Sequence, residues 1–516
     1  MSLTVAIVIV YFAIILSVGI RASRLVTSAE DFIVAGRNLG FVTFMLLVIG
    51  SVLSGMTVLG SSALAYVSGW PSMWEPIFVC ASVAVLMTLF GAKLHRVSRR
   101  FKYNTVQDYL AHRYQSRRTI RALAGLSGII ISFIYLVGQY RAVSIVLAWL
   151  FDLPEVYALL IATGVIGLYV LLGGLMAVAQ ITFIQGMALL IGVIVLIPGV
   201  IKAAGGLAAI NAALGAIDPH LVSIAYPQVH PPLGEHAFLT PLFLVSFFFL
   251  LTFGLAAAPH SINNILTARK ASYYKWGPFW GFLIYIVVFY LIKFGGLASR
   301  VMVEAGLYTV PHPDYALLGA IEYILPQSLW AVFGVVVLAA VMSTTDRLLL
   351  TISASISWDI FHNILRPDAS DEQVKAVSRW AVVITSVLAF LTALYPPPLL
   401  AWLVWMGIGL MLSTYCVPLL AGLYWSRANG AGAIAGMAAG LVGGLAAGYV
   451  HQFLSPLPFH FSLIGLLVSL ITTVAVSLAT PAPSEQIVEE TESGIGFLRL
   501  VRSPYAHRVA SVAEKQ

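Results

Sequence analysis

The stretch VLAAVMSTTDRLLL (337–350) holds the residues best suited to bind an ion. Ala340, Ser343 and Thr344 fall at i, i+3 and i+4 of a helical repeat, so they share one face. Two hydroxyls and a backbone carbonyl on one face suit a hard cation such as sodium, which prefers oxygen ligands. The same pattern also serves as hydrogen-bonding glue between membrane helices. Asp346 and Arg347 follow directly and read as a mutual or neighbouring ion-pair network. A second chemical signal is Arg141, in FIYLVGQYRAVSIVL (133–147), with Gln139 and Tyr140 beside it. An arginine at membrane depth costs about 2.5–3.5 kcal/mol to insert, so it needs a cavity or a partner. It pairs either with a substrate carboxylate through a forked contact, or with Asp346 or Glu75 as a structural ion pair. Lys293 stands in another apolar run, where its long stem can snorkel outward. His260 could move protons or act as a hydrogen-bonded structural group.

These residues sit in a chain of 516 residues that is 60% hydrophobic and only 9% charged. Soluble domains carry roughly a quarter charged residues, so an all-α polytopic membrane protein is expected. A membrane helix needs about 20 apolar residues. Thirteen such runs can be read, at 3–20, 40–66, 73–94, 121–150, 155–177, 180–201, 238–264, 276–299, 328–362, 375–395, 398–424, 431–451 and 460–480. Cys80 and Cys416 lie inside apolar runs and offer neither a disulfide framework nor a cysteine-rich metal site.

Basic residues orient the spans. With the N-terminus outside, 23 of the 28 Lys+Arg fall in inside segments, nine of them between Lys93 and Arg121. The outside loops hold only Lys202 and Arg300, and Arg141, Lys293 and Arg347 lie within spans. The net charge of +7 therefore reflects membrane topology and not nucleic-acid binding. The outside loop 202–237 carries His220, His230 and His236 without a recognisable metal-ligand spacing. The polar segment 481–516 reads as a cytoplasmic tail with no appended domain.

Two spans are interrupted. VIGSVLSGMTVLGSS (48–62) crowds Gly and Ser into the middle of the second, and LLTFGLAAAPHS (250–261) places Gly254 and Pro259 in the seventh. Interruptions at matching places in two five-helix halves point to a transporter site near the membrane midplane. Ser54 and Thr57 of one break, Phe253 and Gly254 of the other, and Gln139 and Arg141 of the fourth span are the candidate substrate contacts. A membrane enzyme would need acids, histidines or cysteines gathered at one face, and the 11 His are scattered with no HExxH.

SAEDFIVAGRNLG (28–40), GGLMAVAQITFIQG (173–186) and LAAVMSTTDRLLL with Asp359 downstream together resemble the sodium:solute symporters, over about residues 3–480. The resemblance implies a leucine-transporter-type five-plus-five inverted repeat: an extra helix and loop at 1–39, repeats at 40–201 and 238–424, and two extra helices at 425–480. It implies a sodium site formed by the carbonyls of Gly50, Leu53 and Ala340 and the hydroxyls of Ser343 and Thr344. No cofactor is implied; sodium enters as the coupling ion. Some members have an Asp near Val52, and many have Thr-Asp where this chain has Ile181-Thr182; that Asp helps hold a second sodium. Both departures argue for a single coupling ion, sodium or proton. YLVGQYR (135–141) resembles the branch that moves acetate, lactate and pyruvate. The expected protein is a symporter of the inner (cytoplasmic) membrane taking up a small anionic solute, most readily a monocarboxylate. The alternatives are a proline- or pantothenate-like symporter and, in another class, a transporter-fold sensor or channel.

Overall fold

The structure, a computed structural model, describes residues 3–24, 28–229, 238–395 and 400–491. His230, His236 and the tail beyond Thr491 lie outside the described residues. Ten described helices are long and apolar enough to cross a membrane, and an eleventh crossing appears if the bent pair Pro241–Gly254 and Pro259–Ile265 counts as one. The expected thirteen is not reached on that measure, and the shortfall lies in two places. The second span is present as two pieces, Phe41–Gly50 and Met56–Ser68. The fifth is the apolar helix Glu155–Leu168, about 20 Å at 1.5 Å per residue, which precedes a kink at Gly174 (φ 52°).

The second-span break has a local cause. Serine and threonine side chains compete for backbone groups, and here they take over those that the break releases. Ser51 Oγ donates to the Val48 carbonyl (2.7 Å), and Thr57 Oγ1 donates to that of Val52 (3.1 Å). The amides of Ser54 and Met56 donate to Thr57 Oγ1 (3.2 Å) and Ser54 Oγ (3.1 Å). Unwound backbone at this depth is tolerated because it is buried in protein. Gly55 also lets the break approach the fourth span, Thr119–Phe151, since a Cβ there would lie 2.4 Å from that of Ala142. In the seventh span the chain leaves the helix over Ala257–Ala258 and resumes with Pro259 in the first turn, where its missing N–H costs nothing.

The two broken spans are joined at one end. Leu39 N donates to the Thr267 carbonyl (3.1 Å), and Arg269 N donates back to the Leu39 carbonyl (3.1 Å). Arg99, at the end of the span Trp70–Phe101, clamps this bridge by donating to the Ala268 carbonyl (2.7 Å). The ninth span, Gln327–Leu365, is buried along most of its length and packs against the fourth span and the long kinked helix Glu155–Ala203. That burial brings its hydroxyl face to the second-span break.

Candidate functional site

The break and the ninth span meet at one carbonyl. Gly50 O accepts from Ser343 Oγ (2.9 Å) and Thr344 Oγ1 (3.0 Å), while Ser343 Oγ also reaches Ala340 O (2.8 Å). Gly50, Ala340, Ser343 and Thr344 are thus brought together and buried. Leu53 lies within the break, its amide bonded to the Ile49 carbonyl (2.9 Å). The cluster is one of neutral oxygens, the donor set that a monovalent hard cation takes. Thr182 presses on it from the sixth span: a Cβ on Gly50 would meet Thr182 Cγ2 at 2.9 Å. Thr182 Oγ1 in turn accepts from Arg347 Nη2 (2.7 Å), one helical turn beyond Ser343.

Beside the break lies a small cavity of about 20 Å³, room for about one water molecule, so a solute needs it to widen. Val52, Ser54, Met56 and Thr57 of the second span form one wall. Tyr135, Phe289 and Trp405 add aromatic surface from the fourth, eighth and eleventh spans, and Glu75 brings a carboxylate from the third. Glu75 Oε2 pairs with Lys293 Nζ at 2.7 Å, and both side chains are almost wholly buried (2% and 0% exposed). This corrects the expectation that Lys293 snorkels outward. The eighth span, Tyr273–Glu304, turns it inward to the acid, which offsets the cost of burying either charge.

The remaining expected residues divide. Ser54 and Thr57 line the cavity. Gln139 touches the break directly, its Oε1 accepting from Gly55 N (3.1 Å). Arg141 does not reach the cavity, and it pairs with neither Asp346 nor Glu75 as expected: its guanidinium is ion-paired with Glu155, whose other oxygen accepts from the Tyr315 hydroxyl (2.8 Å). Positions two apart on a helix point in nearly opposite directions, so Gln139 facing the break turns Arg141 away. Phe253 stacks on Phe249, and Gly254 packs against Ile408 and Leu412. Leu251 and Leu255, four residues apart on one face, line the cavity in their place.

His260 is buried with its ring edge on Tyr135 (5.8 Å between centroids), and among the described residues neither ring nitrogen has a hydrogen-bond partner. Asp359 holds Thr105 Oγ1 (2.8 Å) and Arg121 Nη1 (3.2 Å) at the far end of the ninth span. His220 pairs with Asp218 (2.9 Å). Among the described residues no group of three or more His, Cys, Asp or Glu side chains could hold a metal ion. Sequence reading took Glu75 and Lys293 one at a time. The available signal was that two opposite charges both lie within spans.

The sequence profile of the sodium:solute symporter family matches residues 32–440. The chain is 29% identical to a sodium/pantothenate symporter of Escherichia coli strain K12 over 436 residues, 83% of this chain and 87% of that one. It is 25% identical to a sodium/pantothenate symporter of Haemophilus influenzae, over 79% of this chain and 82% of that one. It is 24% identical to an osmoregulated proline transporter of Bacillus subtilis, over 83% and 85% of the two chains. Among solved structures, a substrate-bound, outward-open Na⁺-coupled sialic acid symporter superposes with a TM-score of 0.78 at 18% identity, covering 94% of this chain and 99% of that one. A nucleobase-cation-symport-1 family transporter in a closed conformation gives 0.56 at 14% identity, over 90% and 99% of the two chains. At such identities the two structures speak for the fold, an all-helical transporter.

Proposed function

The chain belongs to the sodium:solute symporter family, and from that premise we propose that it couples inward sodium flow to uptake of a small organic solute bearing a carboxylate. One observation carries the reading: two hydroxyls of the ninth span converge on the Gly50 carbonyl, at the break that also walls the cavity. An ion bound to Gly50, Leu53, Ala340, Ser343 and Thr344 would bridge the second and ninth spans. It would thereby favour the conformation in which the cavity is formed, and so couple ion binding to solute binding. Counting both broken spans and the short fifth helix as crossings restores thirteen, in a five-plus-five repeat, with the basic end in the cytoplasm of an inner-membrane protein.

The monocarboxylate reading leaned on Arg141, which is committed to Glu155. The pantothenate- or proline-like alternative is better supported. The cavity offers an acceptor, Glu75, backed by a cation, Lys293, and so suits a solute that carries N–H or O–H donors as well as a carboxylate. Acetate has no such donor. Two of the relatives are named for pantothenate and one for proline.

The test is uptake into proteoliposomes of labelled pantothenate, proline and acetate, with sodium and proton gradients imposed separately. Sodium-driven uptake of pantothenate or proline is expected. With one sodium per solute, a zwitterion gives electrogenic transport and a monoanion electroneutral transport, so an imposed membrane potential separates the two. Acetate uptake alone would overturn the substrate reading, and uptake driven only by protons would overturn the sodium reading.

A further inference from the structure

The basic end of the molecule holds a cleft that the transport site does not use. It opens where the third span ends at Phe101 and the fourth begins at Thr119, with about 390 Å³ of space. Three cations face it from separate stretches of chain. Lys102 caps the third span in the left-handed region (φ 52°), a strained position for a residue with a side chain. Arg117 stands in the turn before the fourth span, and Arg121 in that span's first turn. Lys102 and Arg117 are exposed, while Arg121 is buried (6% exposed).

Arg121 Nη1 is shared by Asp108 (2.6 Å) and Asp359 (3.2 Å), but its Nε is buried with no hydrogen-bond partner among the described residues. Asp108 also faces the cleft, yet its oxygens already accept from the amides of Asn104 (2.7 Å) and Thr105 (3.1 Å) and from Trp358 Nε1 (3.1 Å). His112 forms the far wall and is held by Tyr103 and Glu490. Phe101, Tyr103 and Trp358 supply apolar surface next to the charges.

We propose that this cleft binds a phosphate group, carried by an anionic phospholipid of the adjoining leaflet. The spans on either side end here, which sets the cleft at headgroup depth. Basic pockets between helices on the side rich in Lys and Arg suit anionic headgroups. Lys102 and Arg117 draw the phosphate in, the Arg121 side chain adds a third cation to the wall, and the aromatic side chains cover the glycerol and first methylenes. The lipid thereby abuts the Arg121–Asp359 pair, which anchors the far end of the ninth span.

The full chain in nanodiscs of phosphatidylcholine with a small fraction of phosphatidylglycerol tests this by native mass spectrometry. Phosphatidylglycerol should be retained over phosphatidylcholine. Lys102→Ala with Arg117→Ala, both at exposed positions, should weaken that retention about thirtyfold, and Lys102→Arg with Arg117→Lys should keep it. Equal retention by the alanine variant, or no preference in the parent, overturns the site. A second arm adds inorganic phosphate or glycerol 3-phosphate. Failure to displace the lipid supports the assignment, whereas displacement at millimolar concentration makes a soluble phosphate the occupant and overturns the lipid.

Discussion

Ser343 Oγ donates to the Gly50 carbonyl across 2.9 Å, and so ties the middle of the ninth span to the point where the second stops being a helix. Thr344 reaches the same carbonyl at 3.0 Å. When sodium binds, these oxygens would turn from each other to the ion, so the site is held together before it is filled. Ser343→Ala with Thr344→Ala removes the two hydroxyls proposed as sodium ligands, each worth about 1 kcal/mol or more. The sodium concentration for half-maximal uptake should rise at least about tenfold. Unchanged sodium dependence in correctly inserted protein would remove this face from the coupling site.

Gly50 is required by its surroundings as much as by its carbonyl. An added Cβ would lie 2.9 Å from Thr182 Cγ2, closer than packed carbons approach, so either the break or the sixth span must shift. Gly50→Ala should therefore weaken sodium dependence even though every ligand atom remains. Thr182→Ser removes the methyl but keeps the hydroxyl that accepts from Arg347. Adding it to Gly50→Ala should restore sodium affinity, measured as the half-saturating concentration in uptake. No rescue would mean that the alanine acts by some route other than this contact.

Arg347 bears on ion number. Its guanidinium hydrogen-bonds Thr182, so a full positive charge stands within one helical turn of Ser343 and Thr344. Position 182, where the family resemblance implies an Asp that helps hold a second sodium, carries instead a neutral Thr whose hydroxyl is taken by Arg347. One sodium per solute is expected, with a Hill coefficient near one in the sodium dependence of uptake. A coefficient near two would require a further ion site away from Arg347.

Some of this was legible before folding, and the reason is range. The hydroxyl face of Ala340, Ser343 and Thr344 follows from helical spacing alone, and the second-span break follows from Gly and Ser crowded into one turn. Both are local. The partner of Arg141 was not legible, because Glu155 lies beyond the turn after the fourth span, outside any apolar periodicity that would place it. The Glu75–Lys293 pair joins the third and eighth spans, and no local pattern reports such a distant pairing. The expected count of thirteen spans rested on apolar runs, but hydropathy does not register where a run is cut by a break or ends near a Gly174-type kink.

Arg141 now carries a prediction opposite to the sequence-based one. It is partly exposed, and so is Glu155, so water can solvate the acid when its partner is removed. Pairs of that kind contribute about 0–1 kcal/mol. Arg141→Gln should transport the solute with an unchanged half-saturating concentration and only slightly lower stability. Selective loss of carboxylate uptake in well-folded Arg141→Gln would return the residue to the substrate site.

The opposite holds for Glu75 and Lys293. Their pair is buried beside the cavity, and removing one member strands a charge that water cannot reach. Breaking such a pair costs about 3–5 kcal/mol. Lys293→Met alone should therefore lower the yield of folded protein sharply, and so should Glu75→Leu. Replacing both together removes the charges as well as the need to compensate them, and this is often neutral for stability. Glu75→Leu with Lys293→Met should accordingly recover folded protein, seen as monodisperse chromatography and a restored melting temperature. If the pair serves only the fold, transport returns with stability. If Glu75 accepts from the solute's donors while Lys293 balances its charge, the double variant folds, still binds sodium at the Gly50 cluster, and fails to take up solute. The second outcome is the one expected, because among the described residues that line the cavity Glu75 is the only carboxylate, and a donor-bearing solute seated there meets no other anionic acceptor among them.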